Sequence, residues 1–98
     1  MFEKAAEFGN SNALSCLAIC YFQGKGVEKN YADAVEYCKK AASLGNCISM
    51  RYLGDCYENG NGVEKNYSKA IEYYEKAIEL GNEEAKNKLK ILKEKLNT

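Results

Sequence analysis

The chain contains no proline, no histidine and no tryptophan, and its 14 basic and 14 acidic residues cancel to a formal net charge of zero. Each absence excludes something. Without proline, the strongest helix breaker is missing, and an abundance of Ala, Leu, Glu and Lys favours an all-helical chain. Without histidine, a nucleophilic cysteine lacks its usual base and a metal site lacks its commonest ligand. The balanced charge argues against an electrostatic nucleic-acid binder, which needs a basic face, and against a polybasic membrane anchor. No apolar run approaches the ~20 residues that span a bilayer. Met1 is not followed by a basic segment and an apolar one, so a signal peptide is not expected.

Five cysteines are present, Cys16, Cys20, Cys38, Cys47 and Cys56, with no CxxC pair among them. An odd count leaves at least one thiol unpaired. The reading adopted is reduced, structural cysteine in a reducing, cytoplasmic compartment. A disulfide such as Cys20–Cys38 is the competing reading. Its counterpart one repeat later would pair Cys56 with Tyr74, so no disulfide rule is shared. Cys16 and Cys20 lie four apart on one helical face, but a zinc site needs four well-placed ligands. No metal and no cofactor are expected.

What the chain does contain is a repeat. GKGVEKNYADAVEY at residues 24–37 returns as GNGVEKNYSKAIEY at residues 60–73, an offset of 36. Aligned without gaps, residues 5–40 and 41–76 are identical at half of their positions. A fixed period of this length is the mark of a solenoid. The units expected are the end of a truncated repeat at 1–9, repeats at 10–45 and 46–81, and a C-terminal capping helix at 82–98. Residues 2–8 (FEKAAEF) match 74–80 (YEKAIEL), so the chain reads as starting inside a repeat.

The pairs Gly9-Asn10, Gly45-Asn46 and Gly81-Asn82 recur in phase. Glycine ends one helix in a left-handed conformation and asparagine caps the next. First helices are expected over about 11–22 and 47–58, with core faces Leu14, Leu17, Ala18, Tyr21 and Met50, Leu53, Gly54, Tyr57. Small residues at 18 and 54 allow close helix approach. Val27 and Val63 read as apolar plugs in glycine-rich loops, and Asn30 and Asn66 as caps of second helices over about 31–44 and 67–80. Those carry the stripes Tyr31, Ala34, Cys38, Ala41 and Tyr67, Ala70, Tyr74, Ala77. The last helix, about 83–96, has acid first and lysine later, as the helix dipole favours. Its stripe is Ala85, Leu89, Leu92 and Leu96. A polar outer face suits a cap. The competing reading of KNKLKILKEKL as a basic amphipathic partner or membrane helix is weakened because Glu84 and Glu94 dilute the charge.

Leu17-Ala18-x-x-Tyr21-x-x-Gly24-x-Gly26-Val27, followed by Asn30-x-x-x-Ala34-x-x-Tyr37-x-x-x-Ala41-Ala42-x-x-Gly45, resembles the Sel-like repeat (SLR), a relative of the tetratricopeptide repeat. The second copy fits slightly better, having Gly54 after Leu53. Asn30 and Asn66 stand where the family often has aspartate, and Tyr37 and Tyr73 where it often has tryptophan. The resemblance implies an α/α solenoid, a superhelical stack of antiparallel helix pairs whose first helices line a concave surface. A secreted branch of the family carries one disulfide per repeat. Its cysteines would fall at Ala42 and Met50, or Ala6 and Leu14, where this chain has none.

Subtracting the core stripe leaves, on the first helices, Asn12, Ser15, Ile19 and Phe22, then Ile48, Arg51, Asp55 and Glu58. On the last helix it leaves Glu84, Asn87 and Ile91. Core positions repeat between copies and these do not: Ile19 becomes Asp55, Ser15 becomes Arg51, Phe22 becomes Glu58. Divergence where packing makes no demand is how a binding face looks, and equally how drift on a solvated face looks. Ile19, Phe22, Ile48 and Ile91 favour binding, because they are apolar on a face that a solvated helix keeps polar.

The expected function is a protein–protein interaction module or scaffold, with a partner peptide or helix held on that groove. The alternative is a structural spacer or a regulatory appendage of a larger multidomain protein such as a signalling enzyme. Enzymatic activity is not expected: GKG and GNG lack the spacing of a phosphate loop and follow no strand. In solution a monomer is expected, or weak self-association through the terminal helices around Phe2 and Phe8.

Overall fold

Asparagine side chains start four of the five helices. Asn30, Asn46, Asn66 and Asn82 each accept a hydrogen bond from the backbone N–H three residues on, at 3.0, 3.0, 3.1 and 2.8 Å. Each such cap is worth about 1 kcal/mol. The helices in this computed structural model are α1 (Phe2–Gln23), α2 (Tyr31–Ser43), α3 (Cys47–Asn59), α4 (Tyr67–Glu79) and α5 (Glu83–Leu96). The structure describes the backbone of residues 2–97 and the side chains of residues 11–97. No strand occurs among the described residues.

The link from α2 to α3 is short because Gly45 takes a φ of +89°. Its N–H reaches the Ala42 carbonyl at 2.9 Å, and the Asn46 N–H reaches that of Ala41 at 3.2 Å. This left-handed closure satisfies carbonyls that the helix end would leave bare. Gly81 and Asn82 repeat it on Ile78 and Ala77. The longer loops close in another way: the N–H of Asn30 returns to the Tyr21 carbonyl at 3.0 Å, and that of Asn66 to Tyr57 at 2.8 Å.

Each helix packs on the next, α1 on α2 through α4 on α5, giving a stack 49 × 31 × 18 Å. Two cores result. Ala18, Val35, Cys38, Leu53 and Cys56 fill the space among α1, α2 and α3. Tyr57, Ala70, Tyr74, Ala77, Ala85, Leu89 and Leu92 fill that among α3, α4 and α5. Val63 and Tyr73 border both cores, as expected for the loop plug at 63. Tyr37 stacks on Tyr21 with ring centroids 5.5 Å apart, and Tyr73 repeats the contact on Tyr57 at 5.7 Å.

Three expectations change. First, α1 runs unbroken through Gly9 and Asn10. Continuing the helix costs about 1 kcal/mol for the glycine, whereas residues 2–8 are too few to nucleate a helix of their own. The side chains of Phe2 and Phe8 lie outside the described residues. Second, Leu17 is 41% exposed while its repeat-mate Leu53 is fully buried. Leu53 is packed from the α2 side, with Val35 and Cys38 in its cluster, and no such helix lies over Leu17. Third, Leu96 is exposed, because it falls in the last turn of α5, beyond the core that ends at Leu92.

Candidate functional site: a groove across the first helices

Two adjoining recesses, each about 260 Å³, cross α1, α3 and α5. One lies between α3 and α5 and is lined by Asp55, Glu58, Asn59, Glu84, Asn87, Lys88 and Ile91. The other lies toward α1 and is lined by Phe22, Tyr31 and Tyr52 among others. Asp55, Asn59 and Lys88 line both, which makes them one groove.

Its centre is organised from behind by Tyr74 of α4. The ring is fully buried, and the hydroxyl lies 2.5 Å from Asp55 Oδ1 and 2.9 Å from Glu58 Oε1. A phenol has one hydrogen, so it serves one carboxylate at a time. Cations supply the rest: Lys88 Nζ is 3.3 Å from both Asp55 oxygens and Lys95 Nζ is 3.4 Å from Glu58 Oε2. Arg51 lies 3.7 Å from Asp55 and 3.6 Å from Glu84, with its guanidinium 4.6 Å from the centre of the Tyr52 ring. Burial raises the Tyr74 hydroxyl above the usual phenol range, and the two carboxylates raise it further. Tyr74 therefore stays a donor, and it fixes the carboxylates in place.

The groove brings together Phe22, Asp55, Glu58, Asn87 and Ile91 of the residues expected there, with Arg51 bridging its acids. Others fall elsewhere. Asn12 and Ile48 line a shallower recess at the Gly45–Asn46 turn, where the Asn46 amide donates to Asn12 Oδ1 at 3.4 Å. Ile19 is half-buried and lines none of these recesses. Ser15 is buried, so it offers a partner almost no surface, and the Arg51 side chain at the same position of the next repeat is itself only 11% exposed. Phe22 stacks on Tyr52 at 5.3 Å and forms an aromatic wall.

Sequence reasoning missed Tyr74, Lys88, Asn59 and Tyr52. A signal for Tyr74 was there. Between repeats Cys38 becomes Tyr74, Ile19 becomes Asp55 and Phe22 becomes Glu58. The three changed positions meet in the structure, where Tyr74 touches both Asp55 and Glu58.

Of the cysteines, Cys56 borders the groove. All five are free. Burial pushes the thiols of Cys38 and Cys56 up to about 12, far from the thiolate that a nucleophile requires. Cys16 is exposed, and Cys20 and Cys47 are half-buried, so only two of the five serve as core residues. No group of three or more metal-ligating side chains occurs among the described residues. No helix among them is long and apolar enough to cross a membrane.

A family model described as Sel1 repeat matches residues 12–46 and 47–82. Among solved structures, a Sel1 repeat protein from Oxalobacter formigenes is 36% identical, with a TM-score of 0.81 over 85% of this chain and 34% of that one. The c5321 protein, a protective antigen of uropathogenic Escherichia coli strains displaying an SLR fold, is 36% identical, with a TM-score of 0.79 over 90% of this chain and 19% of that one. Helicobacter pylori cysteine rich protein B is 35% identical, with a TM-score of 0.76 over 87% of this chain and 64% of that one. The chain thus spans about a third of the first of these, a fifth of the second and just under two-thirds of the third. No curated protein matches it.

Proposed function

Since this chain belongs to the Sel1 repeat family, whose members generally serve as non-catalytic protein–protein interaction modules, we propose that a partner peptide or helix lies in the groove across α1, α3 and α5. The observation that carries this reading is the mixed chemistry of the groove. Ile91 is 61% exposed beside carboxylates that a buried tyrosine holds in place. An exposed isoleucine next to fixed charge offers an apolar anchor with an orienting group beside it. The Phe22–Tyr52 stack provides an aromatic surface at the other end. Arg51, Asp55, Glu58 and Lys88 set the register of the partner through charge. Most of the affinity comes from the apolar contacts, because each ion pair formed with a partner replaces one already present.

The test is a pull-down or peptide array, followed by Arg51→Glu and Ile91→Asp. Each substitution is expected to weaken capture at least tenfold while leaving the helical circular dichroism intact. Capture that survives both changes would place the partner on another face.

A further inference from the structure

Two Asn-Gly pairs follow one another at the end of α3, Asn59-Gly60 and Asn61-Gly62. The first repeat has Gln23-Gly24 and Lys25-Gly26 at the same places. An asparagine followed by glycine is prone to cyclise, because glycine puts no side chain in the way of its own backbone nitrogen. That nitrogen attacks the asparagine Cγ. An N–Cγ bond forms, the Cγ–Nδ2 bond breaks, and ammonia leaves. Water then opens the cyclic imide at one carbonyl or the other, giving aspartate or isoaspartate. The sequence exchanges an amide for a carboxylate, and water is its only co-reactant.

The fold treats the two pairs differently. Asn59 is the last residue of α3, so cyclisation there would unwind the final turn. The attacking nitrogen, that of Gly60, donates to the Cys56 carbonyl at 2.7 Å, and the departing amide, Asn59 Nδ2, donates to the Asp55 carbonyl at 3.0 Å. Both reacting groups are thus tied to the helix. Asn61 lies beyond it, in the loop between α3 and α4. Among the described residues nothing accepts a hydrogen bond from the Gly62 N–H or from the Asn61 side-chain amide. Gly62 is exposed, so water reaches the imide. One contact slows the step without blocking it: Gly62 backs onto α2, where an added Cβ would stand 2.6 Å from the Tyr31 carbonyl oxygen.

We infer that Asn61 is a site of spontaneous deamidation and that Asn59, two residues away, is shielded from it. Asn61 lines the same recess as Phe22, Tyr31, Tyr52, Asp55 and Lys88. In the newly made chain that recess sets the Asp55 carboxylate against the Lys88 ammonium. After reaction it carries a further carboxylate, and its charge turns negative as the protein ages. The chemistry holds whether or not a partner occupies the groove, and only its effect on a partner rests on the function proposed above.

The experiment incubates the whole folded chain under reductant at mildly alkaline pH, below the range in which the buried thiols titrate. Samples taken over time are digested with trypsin at a pH too low for further reaction. Cleavage after Arg51 and Lys65 releases residues 52–65, which hold both asparagines. Fragmentation in the mass spectrometer then assigns each new carboxylate. Asn61 is expected to react faster than Asn59 by roughly tenfold or more, the factor that two hydrogen bonds of ordinary strength supply. In urea the two are expected to react at similar rates, both faster than in the folded chain, because the helix that ties Asn59 and the packing that confines Gly62 are gone. Equal rates in the folded chain overturn the inference. So does an Asn61 that stays intact while the unfolded chain reacts, or a preference for Asn61 that urea leaves unchanged.

Discussion

The ring of Tyr74 fills the space that a side chain at Gly54 would need. A Cβ built at position 54 would sit 2.5 Å from Tyr74 Cε1 and 2.6 Å from Cδ1. One repeat earlier the same two positions hold Ala18 and Cys38, both fully buried. The pair exchanges volume: alanine with cysteine, glycine with tyrosine.

Gly54→Ala is therefore expected to destabilise the protein by about 1–3 kcal/mol through overpacking, although alanine is the better helix former by about 1 kcal/mol. The double variant Gly54→Ala, Tyr74→Cys recreates the first repeat and relieves the clash. A double-mutant cycle from urea unfolding should give a coupling larger than 0.5 kcal/mol in size, the least expected of residues in contact. Additive effects would show that the ring moves aside.

Tyr74→Phe keeps the ring and removes the hydroxyl that serves Asp55 and Glu58. With charged acceptors the loss is expected to be about 1.5–3 kcal/mol, read as a lower urea midpoint at constant slope. If the groove is the binding site, the same variant weakens partner capture as the two carboxylates lose their fixed position.

Alkaline pH should loosen the fold. A thiol has an ordinary pKa of 9.0, and burial above all pushes Cys38 and Cys56 up to about 12. Below pH 9 both states keep these protons and the contribution to stability is complete. Between 9 and 12 the unfolded chain releases protons that the folded chain retains, so stability falls as pH rises. Tyr74, also raised, adds to the fall above pH 10. Urea midpoints measured from pH 7 upward should drop through this window, and Cys38→Ala should flatten the slope.

Asn46 does more than Asn66. Both cap a helix, but the Asn46 amide also donates to the Ser11 carbonyl at 3.4 Å, joining α3 to α1. Asn46→Ala should cost more than Asn66→Ala, which loses about 1 kcal/mol for the cap alone. Thermal melts of the two variants make the comparison, and equal losses would show that the bridge to α1 contributes nothing.

Most of the scaffold was legible because repetition marks it. The caps, the glycine closures, the valine plug and the stripes on α2 and α4 follow from residues that occur twice in phase. The failures lie at the ends. Leu17 and Leu96 carry the pattern of buried residues, but burial depends on a neighbour that periodicity does not supply. Gly9–Asn10 carries the pattern of a turn, but a turn needs a helix on both sides. The groove was half legible. Asp55, Glu58, Asn87 and Ile91 emerge by subtracting the core, whereas Tyr74 hides within the core stripe and reveals its role only through the residues that change with it. Ser15 was assigned by helical phase, which locates a face but is blind to how deep a short side chain sits.

Val63 and Tyr73 touch both cores. The boundary between repeats is thus not a seam where the chain can part. Loosening the second loop withdraws packing from the first repeat as well as from its own. Units that share side chains in this way melt together, so two short repeats, each too small to be stable by itself, gain the cooperativity of one folding unit.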